Sequence, residues 1–252
     1  MIIHIPHSHP IIPGQYKHQY FLNERELEVQ HRQLNDWYVH ELFEHNKANV
    51  IDFPFSRFFV DVERFDNDVN EPMAAKGMGR FYLKTIEGKP LRQLSMEDRQ
   101  LMDYLYRSHH ERLRLSVESR LRSMGEALII DAHSFHSWPL KCDLNQDRDR
   151  PDICLGYDEL HFHEDRLEDV MNYFRCCGYS VGVNYPYESS IIPTAYYGKN
   201  FRVQSLMIEV NRKLYMHEFT LEKKAHFKLL KGRIRHVMDR LYNNKKVCSS
   251  IS

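Results

Sequence analysis

The chain alternates short apolar segments with long amphipathic ones, and that alternation restricts its fold more than any other feature. The short segments are 2–6 (IIHIP), 49–53 (NVIDF), 58–63 (FFVDVE), 80–85 (RFYLKT), 127–132 (ALIIDA), 152–155 (DICL), 180–184 (SVGVN) and 206–211 (LMIEVN), each of strand length. Helical patterns run over 23–47, 96–124, 163–177 and 220–243. The first opens at Asn23 with Glu26 three residues on, a capping-box start, and sets Leu27, Leu34, Trp37, Tyr38 and Leu42 on one face. The second follows Ser95, repeats Leu101, Leu105, His109, Leu113, Val117 and Leu121 at steps of four, and stops at Gly125. The third stops at Gly178, and the last carries Leu221, Ala225, Leu229 and Val237. Strands separated by helices of about ten residues or more need crossover connections, so the expectation is a three-layer α/β/α fold with a mixed central sheet. Adjacent segments such as 49–53 and 58–63 allow some antiparallel pairing in that sheet.

No internal repeat and no Pro-rich or Gly/Ser-rich linker interrupts the chain, which predicts one domain over residues 1–252. Lys+Arg and Asp+Glu both number 35, so the uniform basic field of a general nucleic-acid binder is missing. No apolar run approaches the ~18 to 20 residues that span a bilayer. The opening MIIHIPHSHP lacks a basic segment followed by a long apolar one, which predicts a cytoplasmic protein. Five Cys without a CxxC pair point to reduced thiols. Composition leaves the oligomeric state open.

Among 16 His, position has to separate ligands from ordinary residues. Ligands in open α/β sheets collect beyond the carboxyl ends of strands. Two apolar segments end there in His-Ser: IIHIP leads to His7-Ser8, and LIIDA leads to His133-Ser134. A third, LMIEVNR, carries Glu209, Asn211 and Arg212, and FFVDVER carries Asp61, Glu63 and Arg64. His7 and His133 suit a zinc site, with Asp61 and Asp131 as carboxylates that fix an imidazole tautomer. Each also has an ordinary reading: His7 as a strand cap, His133 as a hydrogen-bonded core residue. An acid inside LMIEVNR must be paired, protonated or set in a cleft, so Glu209 is either a general base or the salt-bridge partner of Arg212 or another Arg. Arg57 and Arg64 can grip a substrate carboxylate or sit in surface ion pairs. The loop 184–198 (NYPYESSIIPTAYYG) has the length to cover a site, with Tyr196 or Tyr197 offering a hydroxyl. His161 and His163 read as an incidental surface pair, one of His109 and His110 as core filler, and Cys176-Cys177 as core thiols.

Taken in order, HIPHSHPIIP, SRFFVDVERF, KGMGRFYLKT, IIDAHSF, RPDICLG, NYPYESSIIPTAYYG and MIEVNRKLYM resemble the N-formylglutamate amidohydrolase family over residues 4–216. The resemblance implies kinship with zinc carboxypeptidases and aspartoacylase-like deacylases, and so a phosphorylase/hydrolase-like α/β/α fold. It further implies that His7 and His133 bind Zn2+, that Asp61 supports the first of them and that Glu209 is the general base. Arg57 and Arg64 match arginines that hold the substrate carboxylate, and Tyr197 matches a mobile substrate-facing tyrosine. Three positions depart from the pattern of these relatives. Pro10 stands where carboxypeptidase-like enzymes have a ligand Glu, leaving the third metal ligand unassigned. Glu63 stands in place of Asn and can supply the missing carboxylate, and His9 replaces a Gly as another possible ligand.

The function expected from this resemblance is metal-dependent hydrolysis of the amide of a small, carboxylate-bearing N-acyl amino acid such as N-formylglutamate. Two alternatives stand beside it: a non-catalytic binding protein that kept the fold and the arginines, favoured by Pro10, and a carboxypeptidase or peptide amidase.

Overall fold

The computed structural model describes residues 1–243; the last nine residues of the expected 1–252 domain, Cys248 among them, lie outside the described residues. A six-stranded sheet organises the chain, built from β1 (Ile2–Ile5), β2 (Asn49–Asp52), β3 (Ala127–Phe135), β4 (Ile153–Gly156), β5 (Val181–Val183) and β6 (Val203–Asn211). Its order is β2-β1-β3-β6-β4-β5, parallel throughout except that β4 runs antiparallel to β6. The helices are α1 (Glu24–Leu34), α2 (Val39–Leu42), α3 (Met96–Met124), α4 (Glu164–Cys176) and α5 (Phe227–Tyr242). None of them is long and apolar enough to cross a membrane.

The two-residue period of the strands sorts side chains between two faces. Ile3, Ile5, Ile130, Ala132, Ile153, Leu155, Leu206, Ile208 and Val210 face one way and pack against α2, α4 and α5 in the main core. The residues between them on the other face include Ile2 and Ile129, which pack on Leu113 and Val117 of α3. Near the strand ends this second face changes character. His4 pairs in register with Asp131, His133 with Glu209, and Glu209 with Cys154. The sheet therefore carries an apolar face that binds three helices and a face whose upper half is polar and buried.

The expected α/β/α layering holds, and the antiparallel pairing lies elsewhere than expected. Segment 58–63 is not a strand beside 49–53, and β4 with β6 is the antiparallel pair. Phe58, Phe59, Val60, Asp61 and Val62 are all fully buried, so their hydrophobicity reflects enclosure on every side and not a two-residue alternation. Their backbone is satisfied locally: Phe59 and Val60 N–H donate to the Ser56 carbonyl, and Asp61 N–H donates to the Arg80 carbonyl. Segment 80–85 likewise forms no named strand. Buried Arg92 stitches this region together, donating to the carbonyls of Tyr82 and Phe59 and to the Tyr20 hydroxyl, each at 2.9 Å. With Leu27 and Leu34 of α1 and Met102 and Tyr106 of α3, these residues form a second apolar cluster.

Two helical expectations also shift. The last helix begins at Phe227; Leu221 precedes it with φ 62°, and Leu229 is exposed while Leu230, Ile234, Val237 and Met238 fill the core. The pattern over 23–47 breaks into α1 and α2, with Asn35 extended and Tyr38 at φ 65°. The capping box at Asn23 and Glu26 forms as expected.

Inside the second cluster His31 is buried, its Nε2 2.8 Å from the Ser56 hydroxyl and its ring edge-on to Phe58. Burial lowers its pKa to about 4. A folded-state value below the unfolded 6.5 means that the unfolded chain gains a proton first as pH falls. The contribution is intact above pH 6.5 and is lost progressively down to about pH 4. We expect unfolding free energy to fall over that window, by up to about 3 kcal/mol from this residue. In His31→Gln this share of the pH dependence should disappear in denaturant titrations; an unchanged slope would remove His31 as its source.

Candidate functional site

The break between α1 and α2 places a residue that the sequence pattern did not reveal. Asp36 N–H donates to the His7 carbonyl at 3.0 Å, which pulls the chain out of the helix and against the end of β1. Its carboxylate then meets both His-Ser positions. Asp36 Oδ2 lies 3.2 Å from His133 Nδ1 and 3.8 Å from His7 Nδ1. Its other oxygen is held by Arg212 at 3.2 Å and by the Ser134 hydroxyl at 3.3 Å. All three residues of this trio are buried, and their donor atoms lie within 4.8 Å of one another.

The far nitrogen of each imidazole faces a carboxylate. His7 Nε2 is 2.8 Å from Asp61 Oδ1, and His133 Nε2 is 3.0 Å from Asp131 Oδ1. Asp61 in turn accepts from Arg57 at 2.9 Å and from the Tyr82 hydroxyl at 2.5 Å, and Arg64 Nε approaches to 3.4 Å. Asp131 also bonds His4 Nδ1 at 2.8 Å, and His4 Nε2 reaches His109 Nε2 at 2.8 Å.

The chemistry of this donor set suits a divalent cation. His7 Nδ1 is buried and has no hydrogen-bond partner, a costly arrangement unless something else uses its lone pair. Zinc bonds of about 2.0–2.1 Å in tetrahedral array put neighbouring donors about 3.3 Å apart, between the two observed separations. Carboxylates behind both rings would fix the tautomer that turns Nδ1 toward the cation. Burial opposes charge on His133, yet Asp131 and Glu63 outweigh it and raise its pKa well above the ordinary imidazole value. The same carboxylates favour any positive charge at that position, so a cation would compete with a proton there. Burial also opposes charge on Asp36, which is nonetheless held below the usual carboxylate range by His133, His7 and Arg212. Asp61 falls well below that range because Arg57, His7 and Arg64 overcome its burial.

Glu209 sits on β6 directly across from His133, only 8% exposed, and its Oε2 has no hydrogen-bond partner. Arg212 pairs with Asp36, and no described ion pair engages Glu209, so the salt-bridge reading of Glu209 does not hold. Burial raises its pKa to about 8. This places beside the trio a carboxyl group able to take and return a proton near neutrality.

The remaining expected site residues divide. Glu63 approaches His133 from the Nε2 side, at 3.5 Å, and lies 3.3 Å from His4 Nδ1. It therefore groups with His4 and Asp131, while Asp36 supplies the carboxylate next to His7 and His133. Arg57 is committed to Asp61 by two N–H groups. Arg64 is looser, with 22% of its side chain exposed and Glu71 4.0 Å away. Tyr197 is not brought to this cluster: its hydroxyl donates to Asp158 at 2.8 Å and its ring stacks on His161. His161 is buried and bonded to the Val203 carbonyl and Gly198 N–H, so it is a structural anchor of the 184–198 loop and not a surface residue. That loop does cross the polar face. Ile191 N–H donates to Asp131 at 3.3 Å, and a Cβ at Gly156 would meet the Ser189 carbonyl at 2.2 Å.

Sequence reading missed Asp36, His4, His109 and Tyr82 in this network. For Asp36 a signal was present: Asn35-Asp36, two poor helix formers, interrupt an otherwise apolar stripe. His4 lies within β1 and shares a face with Asp131, which becomes visible only when register is known.

Comparison with known proteins agrees with this architecture. An N-formylglutamate amidohydrolase of Ralstonia eutropha superposes with a TM-score of 0.81 at 21% identity, covering 96% of this chain and 92% of that one. A gene product of Agrobacterium tumefaciens superposes with a TM-score of 0.68 at 15% identity, covering 96% and 89%. An N-formylglutamate deformylase of Pseudomonas putida is 30% identical over 111 residues, which are 40% of this chain and 41% of that protein's length. Residues 1–216 match the N-formylglutamate amidohydrolase family profile. From its first residue through the strand that bears Glu209 and on to Met216, the chain belongs to the N-formylglutamate amidohydrolase family.

Proposed function

We propose that the chain is a Zn2+-dependent amidohydrolase that removes the formyl group of N-formylglutamate or a closely similar N-acyl amino acid. The observation that carries this reading is the buried trio of His7, Asp36 and His133 with the unpartnered oxygen of Glu209 beside it. A site that merely binds a carboxylate has no use for two carboxylate-backed imidazoles and an adjacent protonatable acid. His7 and His133, through Nδ1, and Asp36, through Oδ2, would hold the cation, with Asp61 and Asp131 orienting the two rings. The bound cation would supply Lewis acidity to the formyl oxygen and to the attacking water.

The chain's own groups account for the remaining work. Glu209 takes a proton from the attacking water as the new C–O bond forms, and returns it to the amine nitrogen as the C–N bond breaks. Formate and the free amino acid leave. A carboxyl with a pKa near working pH suits both directions of transfer. Arg64, less fully engaged than Arg57, is the guanidinium available to a substrate carboxylate. Arg57 locks Asp61 and through it the His7 ring. Departure of Pro10 from the carboxypeptidase pattern does not remove the site, because Asp36 offers the third donor from the helix break.

Three outcomes test this reading. His133→Ala and Asp36→Asn should each lose bound zinc from this trio while retaining the native circular dichroism spectrum. Both variants holding their zinc as the wild type does would end the assignment of the trio. Glu209→Gln keeps the shape but cannot accept a proton at neutral pH, so kcat should fall by ~10² to 10⁴ with little change in substrate affinity. Normal turnover per folded molecule with a lowered melting temperature would make Glu209 structural instead. Arg64→Ala should raise KM for the carboxylate substrate roughly 10- to 100-fold, and far less for its amide. Equal effects on acid and amide would release Arg64 from that role.

A further inference from the structure

A second group of donors lies outside the buried trio. His9 follows β1, His40 is in α2 and Asp52 ends β2, and their donor atoms also lie within 4.8 Å of one another. We propose that His9, His40 and Asp52 form a second cation site, which takes a borderline divalent cation such as Zn2+.

The spacing is that of ligands and not of hydrogen bonds. His9 Nε2 lies 3.5 Å and His40 Nε2 3.6 Å from the same oxygen, Asp52 Oδ2. N–H···O hydrogen bonds occupy about 2.7–3.2 Å, whereas donors around tetrahedral zinc stand about 3.3 Å apart. Both Nε2 atoms are shielded from solvent, and neither makes a hydrogen bond. The rings meet edge to face, centroids 5.1 Å apart at 62°, so the two imidazoles converge on the carboxylate from different directions.

The other side of Asp52 is held in place. Arg112 lies 3.7 Å from Asp52 Oδ1 and donates to the Asp52 carbonyl at 3.2 Å. That contact orients the carboxylate and leaves Oδ2 toward the imidazoles, the same division of labour that Arg212 performs for Asp36. Two imidazoles and one carboxylate select against Ca2+ and Mg2+, which prefer oxygen donors in larger number. The three residues are partly exposed, so water can complete the coordination.

The consequence for the fold is a brace. His9 is two residues beyond His7, and His40 is four residues beyond Asp36. A cation shared by His9, His40 and Asp52 ties together the two segments that deliver His7 and Asp36, and fastens both to β2. The second site would set how firmly the first is preorganised, without contacting substrate.

Zinc stoichiometry tests this independently of turnover. Chelator-stripped wild-type protein, titrated calorimetrically with Zn2+ and checked by elemental mass spectrometry, should bind two equivalents. His40→Ala and His9→Ala should each bind one, with affinity at the lost site weakened more than about 100-fold, beyond the usual effect of changing an outer-shell group. His133→Ala should keep the equivalent that His40→Ala loses, and Zn2+ should still raise its melting temperature. If His40→Ala and His9→Ala, both folded by circular dichroism, bind zinc as the wild type does, the second site does not exist. A failure of the buried trio looks different: His133→Ala would then match the wild type while His40→Ala still loses one equivalent.

Discussion

The hydrogen bond from Asp36 N–H to the His7 carbonyl is the constraint on which the site depends. It stops α1 at Leu34 and turns the chain so that a residue from the break after the helix reaches the end of a central strand. A continued helix over this stretch would satisfy the Asp36 amide internally and carry its carboxylate away from β1. The break leaves a short irregular stretch, which Arg212 then reinforces from β6's far end by donating to the Gln33 carbonyl and to Asp36 itself. One turn of helix is given up, and the ends of β1, β3 and β6 become joined through a single carboxylate.

Around that carboxylate, charge is arranged in alternation. Imidazoles face Asp36, carboxylates stand behind the imidazoles, and guanidinium groups stand behind Asp36 and Asp61, while Asp131 takes a second imidazole, His4, instead. Each buried charge therefore has a partner of opposite sign, which is the condition under which so many ionisable groups can share a dry interior. Glu209 departs from the alternation. Its burial without a paired cation raises its pKa to about 8, which brings its protonation change near neutrality. Asp36 and Asp61 are held below the usual carboxylate range by their charged neighbours, whereas burial moves Glu209 the other way.

The apolar face of the sheet makes this polar face affordable. Three helices cover Ile3, Ile130, Ile208 and their neighbours, so the strands are fixed from one side and the other can carry His4, Asp131, His133 and Glu209. The same alternation explains why sequence reading placed β1, β2, β3, β4, β5 and β6 close to their observed positions but misread 58–63 and 80–85. Residues buried on all sides look like strand residues whatever their backbone does. Those two segments satisfy their amides through Ser56, Arg80 and Gly77 instead of a ladder.

By itself the sequence determined the alternation of strands and helices, the polar residues at strand ends, and the His-Ser, Glu209 and FFVDVER motifs that carry the family resemblance. These are local properties, written in periodicity and in the residue types that follow an apolar run. Tertiary structure alone decided which carboxylate completes the trio with His7 and His133. Asp36 is 97 positions from His133, and it enters the site because the His7 carbonyl, just beyond β1, competes successfully for its amide. Glu63, nearer the expected pattern, was turned to the other nitrogen of His133 by its place in an irregular buried segment. The choice among carboxylates depends on backbone hydrogen bonds between segments far apart in the chain, and no local pattern of residues encodes those partners.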